Sequence, residues 1–297
     1  AGWEDVTLLE EPQAALYAWL EAMGDRFRKQ LKVGDVILVV DVGGGTTDLS
    51  LIAVTEQDGE VQLTRIAVGD HILLGGDNMD LALAHALQQD LAAGGTPLDA
   101  WQFASLVHGC RRAKELLFGN ARLQTAPIAV AGRGSALVGG TLRTELSRDR
   151  LAHLLVEGFL PRGAVSELPQ ASRRVGLTQV ALPYAQDPGI TRHLAAFLSR
   201  QARALAASAD APIPVAGTAF VHPTAVLFNG GVFKADLLKR RVLEVLNAWL
   251  AADGGAPARE LEGGDLDLAV ARGAAYYGRV RRGRGIRIRG GTARAYY

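Results

Sequence analysis

Two aspartates and three glycines in the first third of the chain have the types and spacing needed to bind a phosphate group. Residues 36–42 form an apolar, largely β-branched run that predicts a buried strand, and residues 47–54 alternate polar and apolar as a second strand does. Residues 43–45 between them are all glycine, so we expect a hairpin whose tip exposes backbone amides to an anion. Asp41 and Asp48 bracket that tip. Since carboxylate and phosphate repel each other, a divalent cation, Mg²⁺ with its waters, is the expected mediator.

A purely structural interpretation of these residues stays open at this point. It is a tight glycine hairpin with two solvated acids at its ends. Neither common nucleotide loop is present, because no lysine follows the glycines as in a P-loop and no GxGxxG motif opens a helix. If the hairpin binds phosphate, Gly44 is expected to have a positive φ, and Gly44→Ala should abolish binding without unfolding the chain.

Composition excludes several classes of protein. With 297 residues, 48% of them apolar, the chain can bury a substantial core in one large or two moderate domains. A net charge of +1 gives no argument for a nucleic-acid or membrane partner. Cys110 is the single cysteine, which excludes an internal disulfide and suits a reducing cytoplasm. No apolar run is long enough for a membrane span, no signal peptide opens the chain, and its abrupt ends predict a piece of a longer protein.

Periodicity and turn residues predict the elements that must position the hairpin. A third strand at 61–68 would complete an antiparallel meander. The other predicted elements are a helix within 7–30, a helix at 78–93, a helix from Thr96, its cap, to about Leu117, a hairpin of 121–131 and 136–143, a helix from Ser147 to about Leu160, an insertion at 161–190 with one strand near 179–183, a helix at 190–208, a strand at 225–228, a helix at 235–252, and a helix at 266–277 capped by Asp265 and ended by Gly278.

The C-terminal segment, residues 279–297, contains seven arginines with glycines between them. Ile286 and Ile288 alternate with Arg287 and Arg289, which favours an edge strand whose partner belongs to a following domain over a nucleic-acid arm. We therefore expect a mobile and dispensable tail, because no pairing partner is evident within the chain.

Four stretches, in order along the chain, resemble motifs of the DnaK-type heat-shock chaperones, a family of the actin-like ATPase superfamily. They are DVGGGTTD (41–48), GGDNMD (75–80), CRRAKELL (110–117), and FNGG (228–231) followed by AVARGAA (269–275). One glycine loop would be a weak signal, whereas four ordered matches are a specific one. The resemblance covers nearly the whole chain except about residues 160–190.

The resemblance implies an α/β fold with mixed sheets, the second lobe of an actin-like nucleotide-binding domain. Its implied parts are a connecting helix from the first lobe (1–30), an inner sheet-and-helix subdomain (31–72 and 190–279), a smaller outer subdomain (73–165), an insertion (166–189) and a basic tail or start of a linker (280–297). Each subdomain is expected to have its own apolar core.

The family's site residues carry over to matching positions. Its catalytic and metal-binding carboxylates fall on Asp41 and Asp48, which would hold Mg²⁺ through water, and on Glu11, whose Glu-Pro pair opens the connecting helix. The positions implied for binding ATP or ADP are Gly43, Gly44, Gly45, Thr46, Gly75, Gly76, Asp77, Lys114, Gly230, Gly231, Lys234 and Asp267. Within that set, Lys114 matches a lysine that contacts ribose, and the second glycine pair matches the adenosine loop.

The chain departs from the family pattern around the adenine. The family has a glutamate at the position of Arg111, an arginine at that of Glu115 and a small hydroxyl residue at that of Phe118, while its adenine-stacking arginine is Lys234 here. Glu115 cannot stack on a base as a guanidinium does, and lysine is a poor substitute. Phosphate binding is therefore better supported than adenine recognition, and Phe118 is expected in the core.

These matches predict part of a chaperone ATPase whose cycle gates a peptide-binding domain. Its implied partners are client polypeptides and co-chaperones in the cytoplasm, and neither membrane nor nucleic acid is expected. The family's first phosphate loop and catalytic lysine lie upstream of the Glu-Pro helix, so the 297 residues alone should not hydrolyse ATP. The alternatives are a bacterial actin-like filament protein, which would sediment with nucleotide, and a pseudo-ATPase scaffold; the CRRAKELL and AVARGAA motifs favour the chaperone.

Overall fold

The computed structural model describes residues 6–132, 141–170, 185–208, 213 and 217–290. Its strands are β1 (Val36–Val42), β2 (Thr47–Gln57), β3 (Glu60–Val68), β4 (Thr125–Val130), β5 (Leu142–Ser147), β6 (Ala225–Asn229), β7 (Arg259–Glu260) and β8 (Ile288–Gly290). Its α-helices are α1 (Glu11–Met23), α2 (Phe27–Gln30), α3 (Gly76–Ala93), α4 (Ala100–Gly119), α5 (Arg148–Ala152), α6 (Ile190–Ala206), α7 (Asp236–Ala252) and α8 (Ala269–Val280). Short 3₁₀ turns lie at Gly24–Arg26 and Gly231–Lys234, and a π-helical turn lies at His153–Glu157.

Six strands form one mixed sheet in the order β7-β6-β1-β2-β3-β8. β1, β2 and β3 make the predicted antiparallel meander. β6 pairs parallel to β1, and β7 pairs parallel to β6. All seven residues of β1 are buried, as expected for a central strand that is covered on both faces. β4 and β5 form a separate two-stranded ribbon.

Different helices cover the two faces of the large sheet, because successive side chains of a strand point to opposite faces. Val40 belongs to the cluster formed with α6 and α7, whereas Val39 belongs to the cluster formed with α1 and α8. Helices α1 and α8 approach closely at Gly273, where an added Cβ would lie 1.8 Å from the carbonyl oxygen of Ala14. The sheet is thus the middle layer between two helical layers, which confirms the predicted α/β class.

The part of the chain predicted as the outer subdomain contains α3, α4 and the β4–β5 ribbon. Its buried residues Leu83, Leu106 and Ile128 belong to the same apolar cluster as Val40 of the sheet. The expectation of two separate cores does not hold, because α3 starts directly at the hairpin tip and Leu74 continues the sheet core into the outer helices. Both parts share one continuous core.

Two predicted helix starts are displaced. Asp99, and not Thr96, is the N-cap of α4: its carboxylate accepts from the Gln102 amide at 2.9 Å, and the Gln102 side chain accepts from the Asp99 amide at 3.1 Å. Asp265 caps a turn that precedes α8, so the helix begins three residues later than predicted and continues through Gly278 to Val280. At α4, the reciprocal bonding of Asp99 and Gln102 decided the boundary over the general capping preference of Thr.

The predicted outer hairpin is formed, and its second strand continues beyond the predicted end at residue 143. β5 spans Leu142–Ser147, whereas residues 136–140 of the predicted strand lie outside the described residues; Ser147 both pairs with Thr125 and caps α5 through the Arg150 amide at 3.2 Å. Most of the predicted connecting loop and the strand predicted near 179–183 lie outside the described residues.

The arginine-rich C-terminal segment is docked through strand β8, contrary to the expectation of a mobile tail. β8 runs parallel to β3 with Ile288 opposite Leu63, and Ile288 is 2% exposed. The Ile288 amide donates a hydrogen bond to the Tyr17 hydroxyl at 2.9 Å. The free edge of β3 is thus the partner that the sequence pattern could not identify. Residues 291–297 lie outside the described part of the chain.

Among the residues that the structure describes, no helix is both long and apolar enough to cross a membrane.

Candidate phosphate-binding site

The glycine hairpin forms as predicted, with its tip between β1 and β2. Asp41 and Asp48 are directly opposite each other in the strand register. At the tip, the Gly43 amide donates to the Thr46 carbonyl at 2.9 Å. Within the described ranges, the amides of Gly44, Gly45 and Thr46 donate to no protein acceptor, so three N–H groups remain for a ligand. This is the donor chemistry of an anion-binding nest.

The expected positive φ at Gly44 is wrong. Gly44 is absent from the left-handed region, and an added Cβ would make only an ordinary contact, 3.6 Å from Asp77 Oδ1. The glycine therefore matters here for the open space beside its amide and not for its backbone conformation.

The first residues of α3 donate hydrogen bonds to the hairpin tip. The Gly76 amide donates to the Gly43 carbonyl at 3.0 Å, and the Asp77 amide donates to the Gly44 carbonyl at 2.7 Å. An added Cβ on Gly75 would lie 2.6 Å from both carbonyl oxygens, so only glycine permits this approach. The first amides of α3 are therefore engaged within the protein, and a direct ligand contact by Gly75, Gly76 or Asp77 stays a prediction.

Asp41 is buried at the end of β1, with 3% of its surface exposed. Its Oδ2 accepts a hydrogen bond from Asn229 Nδ2 at 2.8 Å. Burial raises the pKa of Asp41 to about 6; the Asn229 hydrogen bond works against that shift, while the neighbouring Glu11 and Asp48 carboxylates add to it. A bound cation would relieve the repulsion between Asp41 and these two carboxylates.

Asp48 has a partner that the sequence did not reveal. Its Oδ1 lies 2.7 Å from Nδ1 of His71, whose side chain is 63% exposed. The contact is formed because Thr47 and Ile72 make an isolated antiparallel bridge, which places the segment before α3 alongside β2. Thr47 Oγ1 also donates to the Leu74 carbonyl at 2.7 Å, so both the backbone and the side chain of Thr47 hold this segment against β2.

The glycine pair after β6 lies against the same end of β1. Gly230 has φ 89°, and an added Cβ would lie 2.2 Å from the Val42 carbonyl oxygen. An added Cβ on Gly76 would lie 3.4 Å from Val232 Cγ2 and 3.6 Å from Lys114 Nζ. The structure therefore brings together three segments that the sequence predicted separately: the hairpin tip, the glycine pair and the CRRAKELL helix.

The basic residues of α4 are held by buried and half-buried acids. Asp80, 1% exposed, lies 2.9 Å from Arg111 Nε, and its Oδ1 lies 2.7 Å from Lys114 Nζ, close enough for an ion pair although not aligned as a hydrogen bond. Arg111 also pairs with Asp77, and Lys114 donates to the Gly76 carbonyl at 3.1 Å. The Asp80 hydrogen bond is the main reason why the pKa of Arg111 is raised. This cluster fastens α4 to the start of α3.

The remaining predicted adenosine residues lie on the surface or in the core. Lys234 forms an ion pair with Asp267, and both side chains are more than half exposed. Phe118 is partly buried against the main apolar cluster, which agrees with its expected core role. Glu115 is exposed near Arg111 and provides no stacking surface.

Among the described residues, no group of three or more His, Cys, Asp or Glu side chains is arranged to hold a metal ion. Two opposed carboxylates beside three free amides nevertheless fit a hard cation that keeps most of its waters and binds through them. The chemistry of Asp41 and Asp48 fits Mg²⁺ bound through water, and binding of the ion there stays a prediction.

Two surface cavities, of about 430 and 710 Å³, lie on either side of strand β7. Both are lined by Glu260 and Glu262, and neither is lined by residues of the hairpin tip. Neither of these two cavities marks the glycine hairpin, which is identified by its donors and carboxylates.

Sequence reasoning missed three polar residues at this site: Asn229, His71 and Asp80. Asn229 was part of the quoted FNGG motif, and a polar residue at the end of a buried strand was a usable signal. Asp80 was likewise the last residue of the GGDNMD motif, but its contacts depend on how α3 and α4 pack. His71 had no such signal, because its contact with Asp48 depends on how the segment before α3 returns to the sheet.

A mixed sheet between two helical layers, with a glycine hairpin and a second glycine turn at one end, defines one lobe of an actin-like ATPase. The family model for Hsp70 protein matches residues 1–163, and the chain belongs to the Hsp70 family.

Two curated relatives show how much of that family the chain represents. The chaperone protein HscA homolog of Bordetella pertussis (strain Tohama I) is 34% identical over 159 residues, which cover 52% of this chain and 22% of that protein. The chaperone protein DnaK of Carsonella ruddii (strain PV) is 32% identical over 87 residues, covering 29% of this chain and 13% of that protein. The matched region thus spans less than a quarter of either relative.

Proposed function

We propose that this chain binds ATP and ADP with Mg²⁺ as part of a DnaK-like chaperone ATPase, in which hydrolysis gates a peptide-binding domain. The observation that carries the proposal is the set of three unpaired amides at the hairpin tip beside two opposed carboxylates. Membership of the Hsp70 family supports the nucleotide as the anion, and both relatives are named as chaperones.

In this proposal the tip binds the β- and γ-phosphates. The amides of Gly44, Gly45 and Thr46 donate to phosphate oxygens, while Asp41 and Asp48 hold the waters of Mg²⁺. Bound Mg²⁺ supplies charge neutralisation of the phosphates. Glu11 opens α1 close enough to raise the pKa of Asp41, so it belongs to the same acidic group.

The adenosine is proposed to lie between the second glycine turn and α4. Gly230 and Gly231 present backbone there, and Lys114 lies 3.6 Å from where a Gly76 Cβ would be. Lys234 and Asp267, which pair with each other, would border the base. Because Lys114 is already paired with Asp80, we expect the ribose and base to contribute less to affinity than the phosphates do.

The proposal extends to partners and compartment through family membership. Client polypeptides would bind a domain beyond the matched region, co-chaperones would control the cycle, and the protein would act in the cytoplasm. The expectation that the 297 residues alone do not hydrolyse ATP stays a prediction, tested by phosphate release beside an Asp41→Asn control.

Gly44→Ala tests the phosphate site without disturbing the fold, because its Cβ meets no backbone atom within 4 Å. In the full-length protein that contains these residues, calorimetric titration should show loss of ADP binding, with an unchanged circular dichroism spectrum. Gly119→Ala is the control, since its Cβ would meet no atom within 4 Å and it lies at the far end of α4.

Equal ADP affinity in the wild type and Gly44→Ala would contradict phosphate binding at the tip and favour the purely structural interpretation of the hairpin. Sedimentation with ATP separates the chaperone from the filament alternative, since a filament protein pellets and a chaperone stays in the supernatant.

A further inference from the structure

Four polar side chains lie in a row across the end of the sheet that carries the glycine hairpin. Asn229 on β6 is the register partner of Asp41 on β1, and Asp41 is the register partner of Asp48 on β2. The isolated bridge to β2 brings His71 beside Asp48. Register partners of neighbouring strands project to the same face of a sheet. The two carboxylates are therefore flanked by one polar side chain on each side.

Each outer residue occupies one oxygen of the neighbouring carboxylate. Asn229 Nδ2 donates to Asp41 Oδ2 at 2.8 Å, and His71 Nδ1 lies 2.7 Å from Asp48 Oδ1. The other oxygens, Asp41 Oδ1 and Asp48 Oδ2, accept from no donor in the described part of the chain. Gly230 keeps Asp41 Oδ1 accessible, because an added Cβ there would lie 2.8 Å from that oxygen.

The geometry points to Asn229 and His71 as positioning residues for the cation. By holding one oxygen each, they fix the rotation of both carboxylates, so that Asp41 Oδ1 and Asp48 Oδ2 face the waters of Mg²⁺. This inference rests on the proposed function, since it assigns two further residues to the same site. Removing a hydrogen-bonding partner behind a metal-binding group typically costs 10–100-fold in metal affinity. Contact through water places the expected effect at the lower end, about 10-fold.

Folding stability does not account for the His71 contact. A pair in which one side chain is 63% exposed adds little to the stability of a protein. Asn229 is 4% exposed, and its neutral amide satisfies the buried carboxylate without adding a positive charge that would repel a cation. Both outer residues therefore orient the acids, and Asn229 does so without offsetting the charge of Asp41.

The test is calorimetric titration of ADP into the full-length protein at a series of Mg²⁺ concentrations. His71→Ala and Asn229→Leu should each raise the Mg²⁺ concentration for half-maximal enhancement of ADP binding about 10-fold. ADP affinity without Mg²⁺ should stay within about twofold of wild type, because the tip amides are untouched. His71→Gln, whose amide can donate to Asp48, should recover most of the loss. His108→Ala, at an exposed histidine of α4, is the matched control.

The outcomes distinguish the positioning role of Asn229 and His71 from the proposed binding of ADP with Mg²⁺. Wild-type Mg²⁺ titration curves in both variants would overturn the positioning role and leave the proposed function standing. An equal loss of ADP affinity with and without Mg²⁺ would also overturn it, since that pattern means general damage. Absence of Mg²⁺-dependent ADP binding in the wild type would overturn both. If Asn229→Leu fails to fold, the exposed His71 series decides alone.

Discussion

Asp41 is a buried carboxylate whose charged neighbours, Glu11 and Asp48, are also acidic. Its neutral amide partner, Asn229, offsets only part of the cost of burial. At the residue scale, the free site is therefore under electrostatic strain at neutral pH, and that strain has a measurable pH dependence.

Asp41→Asn should stabilise the metal-free protein at pH 7. A pKa of about 6 in the folded state, above 3.8 in the unfolded chain, means that the folded protein keeps this proton longer. Its contribution to stability is therefore present below about pH 4 and is lost as the pH rises towards 6, by on the order of 2–3 kcal/mol. Urea unfolding in EDTA from pH 4 to 7 should show this decline in the wild type and not in Asp41→Asn.

Asp58→Asn, at an exposed turn position, should keep the wild-type pH dependence. A wild-type stability that rises between pH 4 and 6, with the same slope in Asp41→Asn, would contradict the assignment of the raised pKa to this carboxyl.

The second glycine pair offers a matched comparison between adjacent residues. Gly230→Ala combines a φ of 89° with a Cβ 2.2 Å from the Val42 carbonyl oxygen, and should destabilise the fold by roughly 2–4 kcal/mol. Gly231→Ala meets no atom within 4 Å and should change stability by less than about 1 kcal/mol. Denaturant midpoints of the two variants check this; equal destabilisation would contradict the close approach at Gly230.

At the element scale, β8 is the feature whose role changed most between sequence and structure. Ile288→Ala should destabilise the fold by about 2–5 kcal/mol, since it empties a buried site between β3 and α1. Tyr17→Phe should cost about 1 kcal/mol through the lost hydrogen bond to the Ile288 amide. Thermal unfolding of both, with the exposed Arg287→Ala as control, checks the result. Stability of Ile288→Ala within error of Arg287→Ala would mean that β8 is not docked in solution.

The sequence was informative about elements wherever a local pattern decides the structure. The meander, the glycine hairpin and Ser147 as a cap follow from alternation and turn residues. Two features were not predictable: the pairing of β8 with β3, and the hydrogen bonds from the α3 amides to the hairpin tip. Both join segments that are distant in sequence, and no local pattern links them. For the same reason, the sequence did not indicate a role for His71, which the fold places beside Asp48.

At the scale of the whole molecule, the shared core predicts cooperative unfolding. Leu83→Ala in α3 should lower the stability of the entire chain by about 2–5 kcal/mol, because Leu83 belongs to the same cluster as the central sheet. Far-UV circular dichroism and tryptophan fluorescence should shift together in urea. Leu116→Ala, at a half-exposed position of α4, is the control. Separate transitions for the two signals would show that the outer part unfolds by itself.

The cap on α3 has a genetic consequence. Most helix caps are side chains, so a single codon change can remove them. Here the carbonyls of Gly43 and Gly44 accept from the first amides of the helix, and every amino acid carries a carbonyl. No substitution at Gly43 or Gly44 removes these acceptors; the cap is lost only through added bulk, as at Gly75, where a Cβ would lie 2.6 Å from both oxygens, or through proline at a donor position. Where the hairpin tip meets α3, a substitution is therefore harmful when its side chain does not fit. No particular side chain is required there to form the cap.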